Sequence, residues 1–494
     1  MRKIRKSKFA LFVKKDNGNY VVYSSMSGAV IVFNQELYVK MLEDVIKKDI
    51  FEYQDNDFFN LMLDKKIFID DYVNEDLMVR GMYEEQIVRS HTLEIMLIVT
   101  RQCNFRCVYC GQPHLNENMD IKTYDSVLNF IENQINAYGY TSVYVTFFGG
   151  EPLIASKSIC AFLERLQILL YRLSTTQRTI TYKAGMSTNG YLLTPQLFEQ
   201  LNDLKCNFYQ ISIDGMAGTH DKLRPLVSGE GTWQKIIDNL SYMVSTDKEF
   251  TVQLRTNFNV DVAESLVEFY NYVGKKLNDN RISIYYETIK NQGNEKTPTT
   301  ICGMQELVLN VDIAQLISEN NLTCNNCTTR LMPCSRVCYA SKPNYFIIDE
   351  KNQILKCSFE LDSPNSNNII GILDEKGSFV ENKDYYYNWV YRDYLTSDKC
   401  KNCKILPLCF GKSCPKALNK LGDMPCDTDM IQAEIEGLLD RKKKKNKTKG
   451  VLVMDVKQNG ANYDERGLGI NCDCGCVQIG CPQVGCPTIN PGCS

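Results

Sequence analysis

The sequence predicts an α/β protein whose largest part is a parallel sheet covered by helices. Two observations carry that reading. Short β-branched or aromatic runs recur between about residues 92 and 300: "HTLEIMLIV", "SVYVTFF", "CNFYQISI", "FTVQLRTNFNV" and "RISIYYETI". Between them lie stretches with a helical apolar period, from "YDSVLNFIENQINAYG" and "ICAFLERLQILLYRL" to "LTPQLFEQLNDL", "TWQKIIDNLSYMV" and "AESLVEFYNYVGKKL". Strand–helix alternation of this kind implies right-handed crossovers and parallel strands. At 494 residues the chain is also too long for one hydrophobic core, so two to four domains are expected.

The N-terminal part differs from the rest. "KFALFVKK" and "NYVVYS" flank Asp16-Asn17-Gly18, a hairpin turn signal. "AVIVF" supplies a third strand, and "NQELYVKMLEDVIKK" and "DFFNLMLDKKIFI" read as helices or as helix plus strand. We bound this unit at 1–90, the parallel sheet at 91–300, a bridging region at 301–333, a cysteine-bearing unit at 334–440, and a basic linker with a tail at 441–494.

Composition narrows the function classes. Hydrophobic residues make up 44% and charged residues 23%, a soluble globular balance. A net charge of -3 provides no basic field, which argues against a general nucleic-acid binder. The basic start carries an apolar run too short for a signal peptide, and no stretch is long enough to span a membrane. A cytoplasmic location with no membrane partner follows by default. Twenty-two cysteines are then hard to explain as disulfides in a reducing compartment. With only His91, His114 and His220 available, metal sites here are sulfur-rich, and soft thiolate sites select zinc or iron–sulfur clusters.

"TRQCNFRCVYCGQPH" puts Cys103, Cys107 and Cys110 within eight positions, directly after the first strand of the sheet. Loops that follow strands are where α/β folds place chemistry. Three thiolates can ligate three corners of a cubane and leave one iron open. The rival is zinc, with His114 as a fourth ligand. Further strand ends follow in order. "SVYVTFFGGEPL" ends in Gly149, Gly150 and Glu151, "MSTNG" offers Ser187, Thr188 and Asn189, "CNFYQISIDG" brings Ser212 and Asp214, and "FTVQLRTNFNV" brings Arg255 and Asn257. Each alone is ordinary punctuation of a strand. Together and in order they form a pattern.

That pattern resembles the radical S-adenosylmethionine enzymes. The resemblance implies a partial (β/α)6 TIM-like barrel and a [4Fe–4S] cluster on Cys103, Cys107 and Cys110, whose open iron chelates S-adenosylmethionine. It also implies cofactor contacts from Tyr109 near adenine, and from Gly149, Gly150 and Glu151 at the methionyl ammonium. Ser187, Asn189, Ser212, Asp214 and Arg255 would serve the ribose and carboxylate. Cys160 and Cys206 fall in apolar-patterned segments and read as buried, inert thiols.

A second cysteine field lies at Cys334, Cys338, Cys357, Cys400, Cys403, Cys409, Cys414 and Cys426, with a hairpin pattern between Cys338 and Cys357. It is similar to the SPASM extension of radical peptide-modifying enzymes, which implies two auxiliary [4Fe–4S] clusters. By position Cys334, Cys338, Cys357 and Cys414 would ligate the first, and Cys400, Cys403, Cys409 and Cys426 the second. Cys324 and Cys327 compete with Cys334, and Asn352 stands where the family's hairpin has glycine. A pair of structural zinc sites is the bland alternative.

Residues 1–90 look similar to the winged-helix-like recognition domains of ribosomal peptide pathways, which take a leader peptide along a strand edge. The tail "LGINCDCGCVQIGCPQVGCPTINPGCS" holds six cysteines, four directly after glycine, and resembles the core region of a cysteine-rich precursor peptide. The resemblances together imply a peptide maturase that forms thioether crosslinks after hydrogen abstraction by a 5′-deoxyadenosyl radical. Its partners would be a precursor peptide, the chain's own tail included, and an electron donor such as flavodoxin or ferredoxin. The alternatives are formylglycine formation in a sulfatase and a non-catalytic metal-binding scaffold. Against the former, that family has aspartate directly after the cysteine matching Cys357, and here Ser358 follows.

Overall fold

The computed structural model describes residues 2–53, 56–289, 303–325, 331–361, 367–391, 397–417 and 452–454. In the N-terminal unit, β1 (Arg2–Lys6), β2 (Ala10–Lys14), β3 (Tyr20–Ser24) and β4 (Val30–Phe33) precede α1 (Glu36–Ile46), β5 (Ile50–Tyr53), α2 (Asp57–Asp64) and β6 (Phe68–Asp70). The expected hairpin is β2–β3, turning at Gly18 with φ +80°, where a left-handed residue closes the tight turn. A second sheet, in the order β5-β1-β6, is antiparallel and was not expected. Its middle strand is "RKIRK", which reads as a charge run. Only Ile4 of that strand is fully buried, opposite Phe51 of β5, in one shared core with Phe68, Val22, Ile31 and Phe33. Helix α3 (Glu75–Tyr83) then leads to the barrel.

The main sheet runs β7 (Thr92–Thr100), β8 (Ser142–Gly149), β9 (Thr181–Thr188), β10 (Cys206–Ser212), β11 (Thr251–Phe258) and β12 (Ile282–Thr288), each parallel to the next. These are the six strands read from the sequence. The crossovers are α4 (Ile121–Tyr138), α5 (Ser156–Leu173), α6 (Pro195–Asp203), α7 (Ala217–Leu223) with α8 (Trp233–Ser245), and α9 (Val260–Lys276). Local chemistry starts and stops them. Asp120 caps α4 by accepting from Thr123 N, and Gly139 at φ +74° ends it. Thr194 caps α6 with Pro195 at its first position, and Asn259 caps α9. One core joins sheet and helices, with Ile95, Leu97, Val145, Phe147, Leu254 and Ile284 at 1% exposure or less. Cys160 and Cys206 are buried in it, as read from the sequence.

The sheet does not stop at six strands. After α10 (Gly303–Glu319), β13 (Thr323–Cys324) extends it beyond β12 in parallel. On the other side β14 (Tyr345–Ile348) pairs parallel to β7, and β15 (Gln353–Leu355), β16 (Ile369–Leu373) and β17 (Phe379–Glu381) follow antiparallel. The hairpin expected between Cys338 and Cys357 is β14–β15. Asn352 takes the left-handed conformation there, φ +60°. Thus the second cysteine field is built onto the barrel's first strand. Its turn is fixed by Glu350, whose carboxylate accepts from Arg101 Nε at 3.0 and 3.1 Å, both side chains being 5% exposed or less. Among the described residues no helix is long and apolar enough to cross a membrane.

Removing one member of a buried ion pair costs about 3–5 kcal/mol, because the other charge stays buried. Glu350→Ala is therefore expected to lower stability by that order, read as a fall in the urea midpoint with the slope unchanged. An unchanged midpoint would show that Arg101 does not depend on this carboxylate.

Candidate active site

The C-terminal ends of the parallel strands surround a cavity of about 210 Å³. Cys103, Cys107, Tyr109 and Cys110 line it from the loop after β7, Gly149, Gly150 and Glu151 from β8, Ser187 and Asn189 from β9, Ser212 from β10, and Arg255 and Asn257 from β11. All the barrel residues singled out in the sequence therefore meet in one place, with one exception. Asp214 is fully buried behind the wall. Its carboxylate accepts from the Tyr109 hydroxyl, from Asn257 N at 2.8 Å and from Asn257 Nδ2 at 3.1 Å. It positions its neighbours and does not face the cavity.

The glycines have a sharper reason than closeness to a ligand. A Cβ on Gly149, which sits at φ +132°, would lie 2.0 Å from Thr100 O, and one on Gly150 would lie 2.1 Å from Gln102 O. The β8 end is packed against the chain that enters the cysteine loop. Gly150 N donates to Thr100 O (2.9 Å) and Glu151 N to Gln102 O (2.7 Å). The buried Glu151 carboxylate accepts from Leu153 N (3.0 Å), Thr188 Oγ1 (2.7 Å) and Asn189 N (2.7 Å). Burial raises its pKa, and those donors oppose the rise. It ties the ends of β8 and β9 together beneath the cavity.

On its other side the cysteine loop pairs with residues 223–227. Arg106 N donates to Pro225 O (2.9 Å), Val108 N to Leu223 O (3.0 Å) and Val227 N to Asn104 O (3.0 Å). This segment supplies Arg224, a residue the sequence reading missed. Its guanidinium is buried, donates to the Tyr109 hydroxyl at 2.5 Å, lies 3.8 Å from Asp214, and sits over the rings of Phe105 and Tyr109. His220 holds the segment from behind. Its Nδ1 accepts from Asp214 N (3.1 Å), so Nε2 carries the proton and donates to Thr232 Oγ1 (3.1 Å), which donates to Arg224 O (2.8 Å). Burial holds this imidazole neutral, well below its usual pKa. An isolated arginine in an irregular "KLRPLVSG" stretch carries no periodic signal, so only the tertiary pairing reveals it.

Burial pushes the Cys103 thiol up to about 12 and the Cys107 thiol up to about 11, Arg224 offsetting part of the latter. Such thiols stay protonated near neutrality unless iron or another soft metal displaces the protons. His114 Nε2 lies 3.6 Å from Cys110 Sγ, as the zinc alternative requires. A tetrahedral zinc would take the three thiols and the imidazole and leave no position for a ligand. The thiols instead line one wall of a cavity, a donor set that fits a cluster.

The second cysteine field is brought together by main-chain pairing. Cys334 N donates to Pro407 O, Arg336 N to Leu408 O and Cys338 N to Lys412 O, each at 2.9 Å. Cys334 packs with Cys400 and Cys403 around Leu406 and Phe410, and its thiol bonds Gln86. Cys338 and Cys357 belong to the barrel's own core, and Cys414 is buried. Cys324 is disulfide-bonded. Cys327, Cys426 and the cysteines of the tail lie outside the described residues.

Residues 97–273 match the family model of the radical SAM superfamily. The chain carries a radical SAM domain. Such domains use a [4Fe–4S] cluster and S-adenosylmethionine. The chain is similar to the radical SAM cyclopropyl synthase TigE of Paramaledivibacter caminithermalis, 23% identical over 493 residues that span 90% of this chain and 97% of TigE. It is also similar to a cysteine-type anaerobic sulfatase-maturating enzyme of Clostridium perfringens, 24% identical over 351 residues, covering 63% of this chain and 85% of that enzyme. Its fold matches the solved structure of native anSMEcpe with AdoMet and Kp18Cys peptide bound, with a TM-score of 0.55 at 15% identity, over 72% of this chain and 98% of that one. The radical SAM domain thus coincides with the strands that build the cavity.

The glycine contacts generate a test. Gly150→Ala is expected to weaken S-adenosylmethionine binding at least tenfold and to lower the melting temperature by several degrees, since the Cβ would strike backbone. Gly218→Ala, in α7, meets nothing within 4 Å and should change neither. Equal behaviour of the two variants would refute the packing argument.

Proposed function

We propose that this chain is a radical SAM enzyme that modifies a cysteine-rich peptide, and that it forms thioether crosslinks. The observation that carries the reading is the single cavity lined by Cys103, Cys107, Cys110, the Gly149–Gly150 edge and Arg255. When bound, the reduced cluster and S-adenosylmethionine supply a 5′-deoxyadenosyl radical, which takes a hydrogen atom from substrate. Cys103, Cys107 and Cys110 would hold the cluster. Arg255, aimed by Asn257 Oδ1 at 2.9 Å and lying over the Tyr285 ring, is suited to the methionyl carboxylate. Ser187 and Ser212 offer hydroxyls to the ribose. Tyr109 presents its ring with its hydroxyl already committed to Arg224 and Asp214, so the ring needs no reordering when a ligand arrives.

A thioether crosslink replaces one S–H and one C–H of the peptide by an S–C bond. One hydrogen atom leaves as 5′-deoxyadenosine, and the remaining proton and electron leave to solvent and to an iron–sulfur acceptor. The second cysteine field is the proposed home of two auxiliary clusters, on Cys334, Cys338, Cys357 and Cys414 and on Cys400, Cys403, Cys409 and Cys426. The likeness to the sulfatase-maturating enzyme favours a second reading, oxidation of a cysteine to formylglycine, although Ser358 stands after Cys357. The likeness to TigE, a cyclopropyl synthase, suggests a third product, a cyclopropyl ring.

The products separate by mass and by thiol count. A thioether removes two hydrogens and one alkylatable thiol, ring closure removes two hydrogens and spares the thiols, and formylglycine formation removes the sulfur. Anaerobically reconstituted protein should hold about twelve irons. Changing Cys103, Cys107 and Cys110 together to alanine should remove about four of them and abolish 5′-deoxyadenosine formation. Iron near four per chain with zinc in the remainder would overturn the auxiliary assignment.

A further inference from the structure

The chain's own tail returns to the N-terminal unit. Strand β18 (Leu452–Met454) pairs antiparallel with β4, with Leu452 opposite Val32, Val453 opposite Ile31 and Met454 opposite Val30. The small sheet is then ordered β18-β4-β3-β2. Without β18, β4 would be the edge of that sheet, a β-branched "VIV" run with a row of unpaired main-chain groups. Apolar edges of this kind recruit another strand, and adding a strand to a sheet edge is a general mode of peptide recognition. The segment that fills the edge is distinctive. "VLVM" (451–454) is the only run of three or more consecutive apolar residues between 441 and 471. It follows the basic stretch "RKKKKNKTKG" and precedes "DVKQNG", so the tail has one place suited to a strand and that place is used.

The sheet that accepts β18 is fixed to the body of the protein. Tyr23 of β3 donates its hydroxyl to Leu331 O (2.7 Å), and Ser25 donates to Lys404 O (2.7 Å). Val21, Tyr23 and Val30 pack against Leu331, Ile405 and Leu408, next to Cys403. A strand on β4 is therefore held in a set position relative to the cysteine-bearing part of the chain. Cys472, the first tail cysteine, lies 18 positions beyond Met454, a stretch that can span up to about 60 Å.

We propose that the outer edge of β4 is a docking slot for an extended peptide strand and that residues 452–454 occupy it in cis. Docking commits the cysteine-rich run that follows to the chain's own cavity and shuts out a second peptide. This rests on the reading that the cavity acts on a peptide. A tethered strand acts at an effective concentration on the order of millimolar, so a free peptide of the same sequence competes poorly until the tether's strand is broken. Proline lacks the main-chain N–H that a strand pair uses. Because alternate N–H groups point to opposite sides, adjacent prolines at 452 and 453 remove whichever one faces β4.

The experiment compares the full chain with its Leu452→Pro/Val453→Pro variant. The probes are a fluorescent synthetic peptide of residues 448–460 and hydrogen exchange at the β4 amides. The variant should bind the peptide at least tenfold more tightly than the wild type does, and its β4 amides should exchange faster while those of β7–β12 do not. Equal peptide binding and equal β4 exchange in the two proteins would overturn the slot. The wild-type tail should also lose hydrogens during S-adenosylmethionine cleavage, and the variant's tail several-fold fewer. An unmodified wild-type tail despite active cleavage would overturn delivery in cis. Absence of cleavage in both proteins would instead count against the enzymatic reading, and peptide binding and exchange would still decide the slot.

Discussion

The site depends on how the main chain of the cysteine loop is held. Residues 103–110 form neither helix nor strand, and a half-buried loop must find partners for those N–H and C=O groups that leave water. Here they come from both sides. The Gly149–Glu151 edge bonds to the chain just before Cys103, and residues 223–227 run beside the loop itself. The first contact requires two glycines, because any Cβ there would overlap a carbonyl. The second places Arg224 against Tyr109, bonded to its hydroxyl and over its ring. Three soft donors are thereby fixed on one wall of a cavity without help from a regular element.

The same clamp explains the buried polar groups around it. Arg224, Asp214, Asn257, His220 and Thr232 would each be costly to bury alone. Linked, they satisfy most of one another's polar atoms, Arg224 Nε being left without a partner among the described residues, and the neutral His220 passes a chain of hydrogen bonds from Asp214 N to Arg224 O. Glu151 does the same for the ends of β8 and β9. Groups that look like ligand contacts in the sequence are thus partly scaffolding: the Glu151 and Asp214 carboxylates are occupied within the protein. Around the cavity itself stand the glycine edge, Glu151, Asn189, the serine hydroxyls, Arg255 and the thiols.

Much of this was legible in the sequence, for a physical reason. Each parallel strand ends at the same face of the sheet, so motifs at strand ends converge whatever the lengths of the crossovers. Cys103 to Arg255 could therefore be gathered from their order at strand ends together with the resemblance to the radical S-adenosylmethionine enzymes. Asn352 could be read as a left-handed hairpin residue because asparagine tolerates that conformation, and Gly18 as a turn for the same kind of reason. The failures also have causes. Strand β1 hides in "RKIRK" because it buries one isoleucine, while Arg2, Arg5 and Lys6 are held by Asp70, Glu75 and Ile46 O, polar partners that no hydrophobic period announces. Arg224 lies in an irregular stretch whose partner is more than a hundred residues away. The pairing of β18 with β4 joins segments more than four hundred positions apart, and neither hydrophobic period announces the other.

The three thiols at the clamped loop are the proposed ligands of a cluster that engages S-adenosylmethionine. The most direct measurement is electron paramagnetic resonance of the anaerobically reconstituted, reduced chain, recorded with and without S-adenosylmethionine. A [4Fe–4S] signal is expected that shifts on addition and is missing from the Cys107→Ala variant, while signals from other clusters stay. A spectrum indifferent to S-adenosylmethionine, with a full equivalent of zinc in the protein as purified, would contradict it.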